Sequence, residues 1–83
     1  MAKIIKKDVL NSGVVSMEIE SPRIAAKAEA GHFVMIRVDE HGERFPLTIA
    51  DTDKTAGTIR IIFQVVGGST IKLNRLDAGD EVR

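Results

Sequence analysis

The sequence predicts an all-β fold: a small antiparallel barrel, closed or nearly closed, with one or two short helices. Three observations predict it. Apolar residues recur with period two in short runs, as half-buried strands require. Turn residues such as Asn11-Ser12-Gly13 and Ala78-Gly79-Asp80 punctuate those runs. The chain has 83 residues, enough for one domain with a small core but short of the ~100 usual for a sandwich.

The elements follow in order. Lys3 to Leu10 mixes lysines with Ile and Val, and Asn11-Ser12-Gly13 turns the chain. In the next run Val15, Met17 and Ile19 alternate with Ser16, Glu18 and Glu20, which makes a strand and pairs the two runs as a hairpin. Ser21-Pro22 opens a helical turn, serine at the cap and proline at the first helical position, and Ala30-Gly31 ends it. Phe33 to Val38 is a strand with apolar residues on both faces, which suggests burial on two sides, as at a domain contact. Glu40-His41-Gly42-Glu43 is a polar hairpin loop. Arg44 to Ala50 is the next strand, and it tolerates Pro46 only where the missing N–H has no ladder partner. Asp51 to Gly57 is a polar loop. Thr58 to Val66 is the longest and most apolar strand and so the central one. Ser69 to Leu76 spaces Ile71, Leu73 and Leu76 for a short helix. Glu81-Val82-Arg83 is a strand cut short, and with a Gly-Asp turn just before it the ending predicts a fragment of a longer chain.

Composition narrows the function. Hydrophobic residues make up 43% of the chain, with no tryptophan, no tyrosine and three phenylalanines, so the core is Val, Ile, Leu and Met. Twelve basic and 12 acidic residues cancel. Neutral charge and scarce aromatics argue against a nucleic-acid interface, including an oligonucleotide-binding barrel. No cysteine means no disulfide, thiolate metal site or iron–sulfur ligation within this chain. A cytoplasmic setting fits. Charge interrupts the first apolar run, so Met1 to Asp8 is no signal peptide, and no stretch is long enough to span a membrane.

Two segments carry candidate chemistry. In Gly67-Gly68-Ser69-Thr70, a strand passes into a helix. Glycine removes Cβ so that backbone N–H groups can approach an anion, and the hydroxyls add donors. The plainer alternative is a turn with Ser69 or Thr70 as N-cap. It is neither a P-loop nor a dinucleotide fingerprint. Arg44, Pro46 and Thr48 share one strand face by period two, and arginine can hold a phosphate. The plainer alternative is a solvated edge arginine. His32 and His41 do not form a metal pair; a structural hydrogen bond suits His32 and a hairpin tip suits His41. No nucleophilic triad is supported. Asp39, Glu40 and Glu43 lack calcium-ligand spacing and read as a solvated loop.

Four segments then occur in order: Gly31-His32-Phe33-Val34-Met35-Ile36, Arg44-Phe45-Pro46-Leu47-Thr48-Ile49, Ile62-Phe63-Gln64-Val65-Val66-Gly67-Gly68-Ser69-Thr70-Ile71-Lys72-Leu73, and Ala78-Gly79-Asp80-Glu81-Val82. The ordered set resembles the N-terminal flavin-binding barrel of the ferredoxin–NADP reductase superfamily. Within it the likeness is to the electron-transfer subunit of dihydroorotate dehydrogenase and the alpha subunit of NADH-dependent ferredoxin–NADP oxidoreductase (sulfide dehydrogenase). The resemblance covers nearly all of the chain.

It implies a six-stranded Greek-key barrel holding FAD or, less often, FMN. In the family a strand of the form Arg-x-aromatic-Ser/Thr lies along the flavin. On that register Leu47 takes the ring-packing place and Thr48 the hydroxyl place. Phe45 falls where the family has its phosphate-clamping arginine, and Arg44 stands one residue early. A one-residue offset flips the face, so Arg44 reaches the pyrophosphate only if a bulge re-aims it. Gln64 and Phe63 stand where relatives carry arginine and tyrosine, next to Ile62. These departures predict a weaker grip on the flavin. The implied cofactor-binding set is Arg44, Phe45, Pro46, Leu47, Thr48, Ile62, Phe63, Gln64, Gly67, Gly68, Ser69 and Thr70. Family members continue into a nicotinamide-binding domain and often a cysteine cluster for a [2Fe–2S] centre. The expected parent is therefore an NAD(P)H-dependent flavin oxidoreductase that passes electrons to an iron–sulfur centre or ferredoxin. This chain alone would be inactive. Its expected partners are that domain and a second oxidoreductase subunit, and the exposed contact face would favour self-association. The reading from a different class is a non-catalytic β-barrel interaction module.

Overall fold

The computed structural model describes residues 2–38, 42 and 44–82. The expected loop around His41, with Asp39, Glu40 and Glu43, lies outside them, as does Arg83. The elements are β1 (Ala2–Asn11), β2 (Val14–Glu20), α1 (Pro22–Lys27), β3 (Phe33–Ile36), β4 (Phe45–Asp53), β5 (Thr58–Gln64), α2 (Gly68–Asn74) and β6 (Glu81–Val82).

All pairings are antiparallel, in the order β3-β4-β5-β2-β1-β6. Three successive strands, β3, β4 and β5, lie side by side, and β2 pairs with β5 rather than with β3. That is a Greek key. The sheet curls into a half-barrel, and its edge strands, β3 and β6, do not pair with each other among the described residues. Thr58–Gln64 is central, as its apolar character predicts.

The inner face is a ladder of aliphatic pairs. Val15 faces Phe63, Met17 faces Ile61 and Ile19 faces Ile59 across β2 and β5, and all six side chains are buried. Ile4, Ile36, Ile49 and Val82 complete this layer from the other strands. Ser16, expected on the solvent face, is also buried, opposite Ile62.

Two glycines are dictated by the backbone. Gly13 has φ +88° and closes the β1–β2 hairpin. Gly57 has φ +72°, and a Cβ there would lie 3.1 Å from Pro22 Cγ. Its carbonyl accepts the Ser21 N–H at 2.9 Å, which fixes the entry to α1. Pro22 is the first helical residue as predicted, but the Ser21 hydroxyl makes no capping bond. Ala25 is fully buried against the sheet.

Three boundaries differ from expectation. β3 stops at Ile36 instead of Val38. β4 continues to Asp53, through the stretch read as a polar loop. Past a bulge between Ile49 and Asp51, it pairs Asp51 with Arg60, Thr52 with Ile59 and Asp53 with Thr58. Cross-strand pairing with β5 outweighs low strand propensity there. β5 ends at Gln64, and Val65 leaves the sheet with its N–H on the Gly13 carbonyl at 2.7 Å.

Lys7 is the unforeseen element. A register shift between Ile4 and Lys6 reverses the alternation of β1, so Ile4 and Lys7 both face inward, opposite Ile19 and Met17. The Lys7 side chain is 16% exposed. Its ammonium donates to the Asn74 carbonyl at 2.6 Å, at the end of α2, and lies 3.6 Å from Asp77 Oδ1. This charge-assisted bond ties α2, whose Leu73 is fully buried, to the first strand. Lys7→Met keeps the stem and deletes the donor. It is expected to lower stability by about 1.5–3 kcal/mol in urea denaturation, whereas Lys6→Met on the exposed face is expected to change little.

Candidate functional site

The two motifs of the sequence meet where the sheet parts. The second half of β5 pairs with β2, through Ser16–Ile62, Val15–Phe63 and Val14–Gln64. The first half of β4 pairs with β3, from Phe33–Thr48 to Ile36–Phe45. The β4–β5 ladder spans only Ile49–Ile61 to Asp53–Thr58. Residues 45–48 and 62–64 therefore flank a cleft between strands that are neighbours further along.

Backbone direction follows from one bond. The Ile49 N–H donates to the His32 carbonyl at 2.7 Å, on the β3 side. By strand alternation Leu47 and Phe45 also turn their backbone groups toward β3, while Thr48 and Pro46 turn theirs toward β5. Proline thus sits where an N–H would point into the cleft rather than into a ladder. The Thr48 N–H points there as well.

Side chains divide by the same alternation. Arg44, Pro46 and Thr48 are exposed, while Phe45 and Leu47 are half-buried and pack on the core. No bulge accompanies Arg44; the register shift of β4 comes later, after Ile49. On β5, Phe63 is buried opposite Val15 and belongs to the core, while Ile62 and Gln64 are exposed.

The turn after β5 is held by Thr70. Its hydroxyl accepts the N–H groups of Val66 and Gly67, each at 3.0 Å, and donates to the Gly67 carbonyl at 3.0 Å. Gly67 is the N-cap, not Ser69 or Thr70. The Thr70 proton is committed inside the turn, so this residue shapes the turn rather than donating outward. The N–H groups of Gly68 and Ser69 open the helix and have no intrahelical acceptor. The fold itself does not require glycine at 67 or 68. Neither has a positive φ, and a Cβ on either would meet nothing within 4 Å. Residue 70 therefore needs a hydroxyl at that spot. Thr70→Val is expected to cost about 1–2 kcal/mol by thermal or urea unfolding, and Thr70→Ser is expected to restore most of it.

His32 makes the structural hydrogen bond expected of it: its Nδ1 accepts the Glu29 N–H at 3.2 Å. Among the described residues no cluster of three His, Cys, Asp or Glu could hold a metal ion, and no helix is long and apolar enough to cross a membrane.

No family model matches the chain. Individual proteins do. It is 49% identical over 82 residues to a Clostridium beijerinckii protein described only as uncharacterized, in the adh 3' region, covering 99% of this chain and 28% of that one. It is 40% identical over 80 residues to the Thermotoga maritima homolog of the dihydroorotate dehydrogenase B (NAD(+)) electron transfer subunit, covering 96% of this chain and 28% of the relative. A solved NADH-dependent reduced ferredoxin–NADP oxidoreductase, studied for flavin-based electron bifurcation, superimposes with a TM-score of 0.94 at 39% identity, over 99% of this chain and 30% of that one. The chain belongs to the ferredoxin–NADP reductase superfamily. It spans under a third of the length of these superfamily relatives.

Proposed function

We propose that this chain is the flavin-binding barrel of an electron-transfer oxidoreductase, with FAD as the flavin and FMN as the alternative. The parting of β4 from β5 between the two motifs carries this reading. It leaves a slot edged by backbone polar groups and bordered by the exposed Thr48 and Ile62. The relatives named as electron transfer subunits support it.

The residues present fit such a cofactor. Thr48 offers an N–H and a hydroxyl at the cleft, suited to the polar edge of a flat ring. The half-buried Leu47 and Phe45 and the exposed Ile62 give apolar contact without aromatic stacking. The Gly68 and Ser69 N–H groups and the Ser69 hydroxyl suit a phosphate, and the open space beside Gly67 and Gly68 lets the anion approach. A bound flavin would accept a hydride and release electrons singly; the protein supplies orientation and electrostatics. The NAD(P)H site, the iron–sulfur centre and the partner subunit belong in this reading to the rest of the oxidoreductase.

The open Cβ position separates cofactor effects from folding effects. Gly68→Val is expected to leave the unfolding midpoint nearly unchanged and to weaken FAD binding about tenfold or more in a fluorescence titration. Arg44→Ala is expected to change FAD affinity less than about threefold, because nothing re-aims that side chain toward the turn. A wild-type protein that stays colourless when FAD is added, with no change in flavin fluorescence, would favour an interaction module instead.

A further inference from the structure

A second concave surface lies away from the turn, between α1 and the start of β3. It is a groove of about 500 Å³. Its floor is apolar, formed by Ile24, Ala28, Phe33 and Ile49, and Arg23 and Lys27 stand on its rim. These two cations are four residues apart on α1, a like-charge spacing that mildly disfavours the helix. Neither forms an ion pair among the described residues, where the recorded pairs are Lys6–Asp8 and Lys7–Asp77. The only carboxylate between Ser21 and Phe33 is Glu29, which does not line the groove. His32 also lines it, and because its Nδ1 accepts the Glu29 N–H, its neutral ring carries the proton on Nε2 as a further donor.

We propose that this groove docks an acidic protein partner, one that presents an apolar side chain flanked by carboxylates. Charge complementarity selects the sign: the groove offers two cations and a neutral N–H donor and no anion. Exposure selects a protein over a small molecule. Phe33 is 69% exposed and Ile24 36%, so the floor is an open shelf, whereas a small ligand needs to be largely enclosed. An exposed aromatic anchor with cations around it is the pattern of an interface hot spot. The proposal does not depend on the flavin reading, yet it has a consequence for it. Phe33 pairs directly with Thr48, so a partner seated on Phe33 lies one strand away from the β4 side of the cleft.

The test uses the 15N-labelled chain and three acetylated hexapeptides. The first has a central Leu-Phe pair with two glutamates on each side. The second replaces the glutamates with lysines, and the third replaces Leu-Phe with Ser-Ser. The acidic Leu-Phe peptide is expected to shift amides of residues 23–33, less so in 0.5 M NaCl. The Ser-Ser peptide is expected to bind more weakly. The exposed double variant Arg23→Glu, Lys27→Glu, with its spectrum otherwise retained, is expected to lose about fivefold or more in affinity. Equal shifts with the basic peptide, shifts centred elsewhere, or none at several millimolar acidic peptide would overturn the proposal.

Discussion

Strand β5 pairs with β2 along its whole length and with β4 along only part of it, and the rest of the structure depends on that asymmetry. The complete β2–β5 ladder aligns Val15, Met17 and Ile19 with Phe63, Ile61 and Ile59, and so makes the core. The incomplete β4–β5 ladder ends at Ile49–Ile61 and opens the cleft. Both follow from one strand. Its inner positions are all large and apolar, and its last residues are committed to β2. Beyond Ile49, β4 pairs instead with β3, where Val34 and Ile36 oppose Leu47 and Phe45. A proline at 46 suits a strand without a β5 partner at that point.

A domain this small has little core to spare, so its ends must be closed by other means. α1 covers one flank with Ala25, and α2 supplies the buried Leu73. α2 has only seven residues, too few to be stable alone. It is held at its start by the Thr70 hydroxyl and at its end by the Lys7 ammonium, 67 residues away in sequence. The candidate phosphate-facing turn is thus positioned from the first strand. The Asn74 side-chain oxygen beside this clamp is buried without a partner, and nothing in the structure explains it.

Much of the fold was legible in the sequence. The alternation in Val15-Ser16-Met17-Glu18-Ile19, the glycine turns at 13 and 79, Pro22 at a helix start and the apolar run from Thr58 each carry local information. What was hidden depended on register. Asp51 to Asp53 are polar and read as loop, but they pair with β5 across a bulge. Lys7 looked like any surface lysine until a bulge turned it inward. Of the site, the motif residues could be named in advance, but their division between cleft and core could not. Phe63 and Leu47 belong to the side facing the core, Thr48 and Ile62 to the side facing out. The inward roles of Thr70 and Phe63 needed the turn and the ladder to be seen. A Gly-x-x-Thr spacing at a helix start was the one available signal for Thr70.

The central claim is that the parting of β4 and β5 is where the cofactor lies. The direct measurement is an amide NMR titration of the chain with FAD. The account predicts coupled perturbation of both edges of the cleft, Thr48 on one side and residues 62–64 on the other, together with Gly68 and Ser69. Perturbation confined to other surfaces, or none at saturating FAD, would contradict it.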